Sequence, residues 1–277
     1  MWRIRRPVTT SRSTEIPEKL LAFSTHPAYS PDGQTLAFES TRGGPSAIWR
    51  SGADGSRQTQ VTMLKAHCGT PSWSPDGRRI IFDSPEAGNW DVYVVDADGG
   101  IPRRVTTEPS DDNVGVWSRD GRSIYFHSNR AGRSEIWRMP AEGGDAVQVT
   151  RDGGWYAEES PDGRSLYYSK TGVSGIWRIP LSGGQETEVV KTPVGWQSWT
   201  VGRSGLYYAT TTELVVLRRQ EFTIHYLDFQ TGRTTTLFRK QGADIHHSLA
   251  VSPDERWILF GESPAWQSDL MLVENFR

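Results

Sequence analysis

A recurring tetrapeptide constrains the fold of this chain more than any other feature. Ser-Pro-Asp-Gly occurs at 30–33, 74–77 and 160–163, with the variants Ser-Arg-Asp-Gly at 118–121 and Ser-Pro-Asp-Glu at 252–255. The first four copies begin 44, 44 and 42 residues apart. A fixed period of this length indicates a repeat architecture, in which each copy is one small supersecondary unit.

The tetrapeptide itself predicts a tight turn. Proline suits the second position of a type I turn, aspartate tolerates the third, and glycine accepts the positive φ that closes the hairpin. We therefore expect the Ser and Asp of each copy to form the turn rather than to take part in catalysis. A fifth copy departs from the pattern, with Val-Gly-Arg-Ser-Gly at 201–205 and a longer predicted loop at 210–222.

The residues around each turn have the pattern of short strands bounded by turn residues. An apolar strand follows the tetrapeptide, a second comes about ten residues later, and a glycine turn leads to a third. A further strand precedes the tetrapeptide. Four short strands cannot bury both faces of one small sheet, and radial stacking of such sheets solves this problem. The strand after the turn begins at six places: Leu36, Ile80, Ile124, Leu166, Leu206 and Ile258.

We therefore predict an all-β fold, a single domain over 1–277 that is a six-bladed β-propeller of four-stranded antiparallel blades. The last copy ends after its third strand, at the segment that begins near 270. An N-terminal strand at about residues 18–23 is predicted to complete it, with 5–10 as the other candidate. Residues 1–16 form an N-terminal extension, in which 2–4 resemble the third strand of a preceding blade. The predicted blades are 25–62, 69–106, 113–150, 155–190, 196–238 and 246–277 plus 18–23.

These motifs resemble the TolB-like, WD-type β-propeller repeat over nearly the whole chain. More narrowly, the run from Phe23 to Arg277 is similar to the C-terminal propeller of bacterial CadC-type winged-helix regulators. The winged helix is absent from this sequence, so the resemblance implies a sensory or protein-interaction module. Relatives of this kind are bacterial, and the resemblance leaves both the periplasm and the cytoplasm open.

Composition excludes several classes of function. The 31 Lys and Arg residues against 33 Asp and Glu residues give a net charge of −2, which argues against nucleic-acid binding. No apolar run approaches the roughly 18 residues of a membrane-spanning helix, and no secretion signal is readable. A single cysteine, Cys68, cannot form an internal disulfide. The nucleophile elbow GxSxG, the P-loop and GxGxxG are all missing. We expect a monomer.

The loops on the face opposite the tetrapeptide diverge between copies, and divergent loops on a repetitive scaffold are where a ligand site is expected. The residues shortly before each tetrapeptide, most of them three to six positions away, are predicted to surround the mouth of the central channel. Arg42, Arg130 and Lys170 in neighbouring loops could extend this surface. The candidate ligand-binding residues are His26, His67, Asp112, Asn113, Trp155, Tyr156, Glu158, Trp196, His246 and His247.

Three interpretations of these residues remain open. In the first, which we favour, aromatic faces and polar groups bind a peptide, a protein segment or a small ligand without catalysis. In the second, a divalent cation bound by histidines supports lyase-like chemistry, because some pectate-degrading lyases resemble this family and use a histidine-rich metal centre. In the third, the chain is a structural segment of a longer regulator and its polar residues are merely solvated. The candidate metal ligands are His26, His67, His246 and His247.

Overall fold

The computed structural model describes residues 1–6, 18–22, 24–195, 197–214, 219–241, 248–261 and 269–271. In these ranges the chain forms strands β1 to β25, numbered in chain order, and no helix. It therefore contains, within the same ranges, no helix able to cross a membrane. The strands form six antiparallel sheets, so the predicted all-β, six-bladed propeller is confirmed.

Residues 28–191 form one of two compact units. Four sheets carry most of their residues in this unit, and in each the strands lie side by side in chain order. The first sheet contains β3 (Ser24–Tyr29), β4 (Thr35–Ser40), β5 (Ala47–Gly52) and β6 (Thr59–Gln60), and the second contains β7 (Gly69–Trp73), β8 (Arg79–Ser84), β9 (Asp91–Asp96) and β10 (Arg103–Arg104). The third sheet contains β11 (Asp112–Trp117), β12 (Ser123–Ser128), β13 (Glu135–Pro140) and β14 (Val147–Gln148). The fourth contains β15 (Ala157–Glu159), β16 (Ser165–Lys170), β17 (Val173–Pro180) and β18 (Thr187–Val190).

The repeated tetrapeptide forms the turn between the first and second strands of a sheet. At 118–121 the Ser118 hydroxyl donates to Oδ1 of Asp120 at 2.7 Å and accepts the backbone N–H of Ser123 at 2.9 Å. Gly121 has a φ of 70°, in the left-handed region that the turn requires. Hydrogen bonds from backbone and hydroxyl donors lower the pKa of Asp120, which keeps the carboxylate charged as an acceptor.

A recurring Val-Thr pair fixes the beginning of the third strand. The hydroxyls of Thr62, Thr106 and Thr150 accept the backbone N–H groups of Ile48, Val92 and Ile136 at 3.0, 2.9 and 2.8 Å. All three threonines are buried. The pair is therefore a structural signature, because each hydroxyl satisfies a backbone donor that burial would otherwise leave unpaired.

The core of this unit lies between successive sheets rather than within one of them. Ile81 and Val92 of the second sheet pack with Trp117 and Phe126 of the third. Similar clusters join the first sheet to the second and the third to the fourth. Gly115 permits this close approach, because a Cβ atom there would lie 2.9 Å from Cδ1 of Ile81. Each buried aliphatic or aromatic side chain contributes about 1.5–3 kcal/mol.

The other compact unit comprises residues 1–27 and 192–277. Its first sheet has strands β19 (Trp199–Val201), β20 (Gly205–Leu214), β21 (Arg219–Asp228) and β22 (Thr234–Gln241). The predicted loop at 210–222 is wrong for most of its length, because residues 210–214 and 219–222 continue β20 and β21. The β-branched threonines of this segment suit a strand, and each pairs with a residue of the opposite strand.

The last sheet has five strands in the order β23, β24, β1, β2, β25. Their bounds are β23 (Leu249–Val251), β24 (Trp257–Phe260), β1 (Trp2–Arg5), β2 (Glu18–Ala22) and β25 (Asp269–Met271). The N-terminal strand predicted at 18–23 is β2, and it joins the last sheet as expected. The third place, however, belongs to β1, whereas the segment near 270 lies outermost as β25.

The first residues are therefore not the remnant of a preceding blade. Ile4 is buried and packs with Tyr207, Ile258 and Phe260 in one hydrophobic cluster. The guanidinium of Arg3 lies 3.2 Å from the ring centroid of Trp257. These contacts explain why β1 displaces the expected third strand, because its alternating side chains bury one apolar face and stack one cation.

Glu255 explains why the last turn lacks the usual glycine. Its φ of 57° is the same left-handed conformation, which costs a residue with a Cβ atom about 1 kcal/mol. Its carboxylate accepts hydrogen bonds from the Arg6 guanidinium, the backbone N–H of Arg203 and the hydroxyl of Tyr207. The backbone cost is offset because this carboxylate ties the N-terminal segment and the preceding sheet to the last turn.

We predict that Ser118→Ala lowers the free energy of unfolding by about 1–2 kcal/mol, because it leaves the backbone N–H of Ser123 without its acceptor and removes one of the donors to the Asp120 carboxylate. Urea unfolding measures the change. Ser123→Ala is the matched control, since that hydroxyl forms no hydrogen bond with any residue that the structure describes. Equal losses in the two variants would contradict the role given to Ser118.

We also predict that Glu255→Gly destabilises the protein by about 1–3 kcal/mol, although it restores the repeat consensus and relieves the left-handed backbone. The loss of charge-assisted hydrogen bonds outweighs the relief. Urea unfolding of Glu255→Gly and Arg6→Gln tests this, with Arg6→Gln expected to reproduce part of the loss. A more stable Glu255→Gly variant would show that the backbone cost dominates.

Candidate binding site at the first strands

A column of polar residues interrupts the buried second strands. Glu39, Asp83 and His127 each occupy the fifth position of their strand, in β4, β8 and β12. Asp83 and His127 are only 3% exposed. Buried polar groups are almost always hydrogen-bonded, so the partners of these side chains define the surroundings of the site.

The Asp83 carboxylate joins two successive sheets. It accepts the backbone N–H of Val114 in β11 at 2.8 Å and the hydroxyl of Thr70 in β7. The register of both first strands shifts at this point, between Gly69 and Ser72 and between Asn113 and Val116. Asp83 thus satisfies a backbone donor at a β-bulge in the neighbouring sheet.

A strained backbone conformation recurs at one position in the first strands of three sheets. His26, Thr70 and Val114, each four residues before the turn serine, have φ values of 47°, 47° and 55°. A left-handed conformation is uncommon for any residue with a Cβ atom and exceptional for β-branched Thr and Val. Such strain persists only where surrounding contacts hold it, and it is concentrated at ligand sites.

His127 is the central side chain of the site. Its Nδ1 atom donates a hydrogen bond to Oδ1 of Asn113 at 2.8 Å, because an amide oxygen can only accept. In the neutral ring the proton is then on Nδ1, and Nε2 carries a lone pair. Nε2 is buried and has no hydrogen-bond partner among the described residues. The ring packs against Trp155, which lies just before the first strand of the next sheet, with centroids 4.2 Å apart and planes tilted by 40°. We name Asn113, His127 and Trp155 the His127 cluster.

The protonation state of His127 follows from its burial. Loss of hydration lowers its pKa to about 4, and the charge of Asp111 opposes this only in part. The imidazole is therefore neutral at physiological pH. The His127 cluster presents a neutral nitrogen acceptor beside an indole surface.

Tyr156 and Glu158 continue the site along the fourth sheet. Tyr156 donates its hydroxyl to a carboxylate oxygen of Glu158, and both side chains are half-buried. Burial and the Glu158 charge raise the pKa of Tyr156, so this hydroxyl stays protonated. The structure thus places these two predicted residues in contact, directly after Trp155.

Other predicted site residues lie elsewhere. The Asp112 carboxylate is fully buried in an ion pair with Arg130 at 2.6 Å, on the opposite side of β11 from Asn113, as alternation along a strand requires. Its burial raises the pKa of Asp112. His67 is half-exposed, with its ring against Trp90 and Nε2 3.5 Å from the Glu39 carboxylate. His26 lies on β3. Trp196, His246 and His247 fall outside the described residues.

The three basic residues that could have extended the site lie over tryptophans instead. The guanidinium carbons of Arg42 and Arg130 lie 5.1 and 5.0 Å from the ring centroids of Trp49 and Trp137. The Lys170 ammonium lies 4.0 Å from the ring centroid of Trp177 and pairs with Glu186. These repeated cation–π contacts are structural features of the sheets.

The donor set for a metal ion is incomplete in the described part of the chain. No three His, Cys, Asp or Glu side chains there are arranged to hold a metal ion. His26 and His67 are described, whereas the other two candidate ligands are not. Cys68 is buried, and its burial raises the pKa of the thiol, which disfavours the thiolate form that binds metals.

Asp83 and His127 were missed from sequence because they lie inside apolar strands. Their signal was nevertheless present, since Glu39, Asp83 and His127 are polar interruptions at the same repeat position, 44 residues apart. Aligning the copies on the turn and asking which buried positions vary in polarity would have found them. An alignment of the copies does not show which residue each of these side chains contacts, because the contacting residue belongs to the next copy.

Comparisons with known proteins support a TolB-like propeller. Residues 56–171 match the family model described as the TolB beta propeller domain. A protein assigned as TolB from Agrobacterium tumefaciens has a similar structure, with a TM-score of 0.72, 23% identity and coverage of 95% of this chain and 98% of that one. A gluconolactonase from Xanthomonas campestris gives a TM-score of 0.69 at 16% identity, covering 98% and 95%.

An enzyme of a different class has the same fold. An oligogalacturonate lyase in complex with manganese gives a TM-score of 0.61 at 14% identity, covering 95% of this chain and 80% of that one. A sequence comparison with curated proteins finds no match. At these identities the structural likenesses establish the fold, and function must be argued from the site.

We predict that His127 titrates near pH 4 whereas an exposed histidine titrates near 6.5, because burial disfavours the imidazolium. Histidine NMR titration measures this directly. The folded-state pKa lies below the unfolded-state value, so His127 should lower the free energy of unfolding as the pH falls from about 6.5 to about 4.

His127→Gln should remove that part of the pH dependence, while His67→Gln, which alters a half-exposed ring, is the control. A His127 resonance that titrates near 6.5 would show that the ring is hydrated and would contradict its assignment as a neutral buried acceptor.

Proposed function

We propose that this protein is a non-catalytic binding module that holds a peptide or protein segment at the His127 cluster. The observation that carries the proposal is the buried Nε2 atom of His127, which lies beside Trp155 and has no hydrogen-bond partner in the part of the chain that the structure describes. An unsatisfied buried acceptor costs about 1–3 kcal/mol, and a ligand that donates a hydrogen bond to it recovers that energy.

The chemistry of the cluster favours an N–H donor. The neutral imidazole accepts a hydrogen bond, and the indole of Trp155 offers an apolar face on which a side chain or a peptide plane packs. Nearly every residue of a peptide supplies both a backbone N–H donor and a peptide plane that can pack on the indole. Nε2 is out of contact with solvent, so the donor has to enter beside Trp155, and binding should displace that ring.

The rigid surroundings support a preorganised site. The Asp83 carboxylate holds the left-handed backbone at Val114, next to Asn113. Asn113 in turn fixes the tautomer of His127. Ordering these groups in the free protein lowers the entropy cost of binding.

The finer sequence predictions stand as part of the same proposal. On this reading the propeller is the sensory or interaction module of a regulator of the CadC type, and its partner is a protein. The similar structures include a TolB protein and enzymes alike, so the fold by itself does not choose between them. A lyase-like metal site lacks a supporting observation among the described residues.

Selection of short random peptides displayed on phage against the wild-type protein tests the proposal, with enriched peptides measured by calorimetry. His127→Phe removes the Nε2 acceptor at similar volume, and we expect it to weaken binding about tenfold, equivalent to about 1.4 kcal/mol. Trp155→Ala should weaken binding by at least as much. Binding should also change tryptophan fluorescence in the wild type.

His67→Ala is the matched control, because that histidine is half-exposed and lies outside the cluster. Peptides that bind His127→Phe and wild type equally would place the site elsewhere. Failure to enrich any peptide would count against a peptide ligand.

A further inference from the structure

The outer strand of the fifth sheet differs from the other outer strands. β22 has eight residues, whereas β6, β10 and β14 have two each and β18 has four. It lies at the edge of its sheet, and no strand in the described part of the chain pairs with its outer side. Its length follows from the extended β20–β21 hairpin, along which it pairs from Leu227 to Glu221.

The hydrogen-bond register shows which backbone groups of β22 face outward. Asp228 donates its backbone N–H to the carbonyl of Arg233 at 3.0 Å, so Arg233 is turned toward β21. Because hydrogen-bonded and non-hydrogen-bonded positions alternate in an antiparallel ladder, Thr234 and Thr236 direct their N–H and C=O groups away from the sheet. An edge of this kind is a template for another strand.

The side chains of β22 are suited to pairing and carry positive charge. Thr234, Thr235 and Thr236 are exposed, and β-branched residues favour extended pairing. Arg239 and Lys240 follow, and β22 contains no acidic residue. Arg239 is well exposed and forms an ion pair with Glu221 of β21 at 3.5 Å.

The strand is firmly held but bent. Leu237 and Phe238 are buried in the hydrophobic cluster shared with the last sheet, which anchors the middle of β22. The register shifts there, because Ile224 pairs with Phe238 while His225 pairs with Thr236. A bulge at Leu237 bends the edge, so a second rigid copy of this sheet fits it poorly, whereas a short flexible segment can follow it.

We propose that β22 binds an extended acidic peptide segment of a partner protein, which adds to the sheet as a further strand. The main-chain groups of Thr234 and Thr236 supply the hydrogen bonds, and Arg239 and Lys240 select acidic side chains. This surface belongs to a different part of the chain from the His127 cluster and does not depend on the function proposed there.

A fluorescein-labelled, end-blocked peptide of alternating Val and Glu is the probe, and fluorescence anisotropy is the measurement. We expect saturable binding to the wild type and a loss of about tenfold in Arg239→Glu and Lys240→Glu, because each change replaces an attraction by a repulsion. A peptide of alternating Val and Lys should not bind. His127→Phe should bind the acidic peptide as the wild type does.

Backbone methylation separates strand addition from simple charge attraction. Two versions of the peptide, N-methylated on alternate amides, differ only in which edge of the peptide strand is blocked. One version should lose binding and the other should keep it, because only one edge pairs with β22. Hydrogen exchange should slow at residues 234–236 when the unmodified peptide is bound.

Thr236→Pro removes an outward N–H at an edge position that tolerates proline, and it should weaken binding without unfolding the sheet. The proposal is overturned if the acidic peptide does not bind or if both methylated versions bind equally. It is also overturned if the wild type forms a concentration-dependent dimer that Thr236→Pro dissociates, since β22 would then pair with a second copy.

Discussion

Within each compact unit of this protein, a sheet depends on its neighbour for the burial of its apolar face. A four-stranded sheet with outer strands of two residues, such as β7–β10, has too little surface to form a core alone. The clusters that link successive sheets supply it, as when Ile81 and Val92 pack with Phe126. The tight approach at Gly115 shows how closely the sheets fit. Turns, threonine hydroxyls and cation–π contacts then fix each sheet so that this packing repeats.

The same dependence creates the candidate site. Residues at the fifth position of the second strands reach across to the next sheet, where contacts differ from copy to copy. Asp83 meets the backbone of Val114, and His127 meets the ring of Trp155. Apolar packing accepts any well-fitting side chain, but a buried polar group needs a specific partner. The turns and the apolar packing are therefore the same in successive copies, whereas the polar residue at the fifth position differs. In the third sheet that residue is His127, whose Nε2 atom has no hydrogen-bond partner among the described residues.

Two departures from the repeat give this chain structural features that the consensus repeat does not have. Glu255 replaces a turn glycine and connects Arg6 and Tyr207, so the N-terminal segment is tied to the last sheet at a position where the consensus allows no side chain. The fifth copy loses its tetrapeptide and gains a long hairpin with the extended edge strand β22. In the first case the cost in backbone strain accompanies three hydrogen bonds of the Glu255 carboxylate, and in the second the long hairpin leaves an exposed edge.

The sequence by itself determined most of the strand pattern, the repeated turns, the six sheets and the presence of an N-terminal strand in the last one, but not the long β20–β21 hairpin. Local rules govern these features, because a turn glycine or an alternating apolar strand acts over a few residues. Only the tertiary structure decided that β1 takes the third place in the last sheet, that Asp112 turns away into an ion pair, and that His127 lies against Trp155. These depend on residues far apart in the chain, whose contacts are selected by packing and by the partners that burial demands.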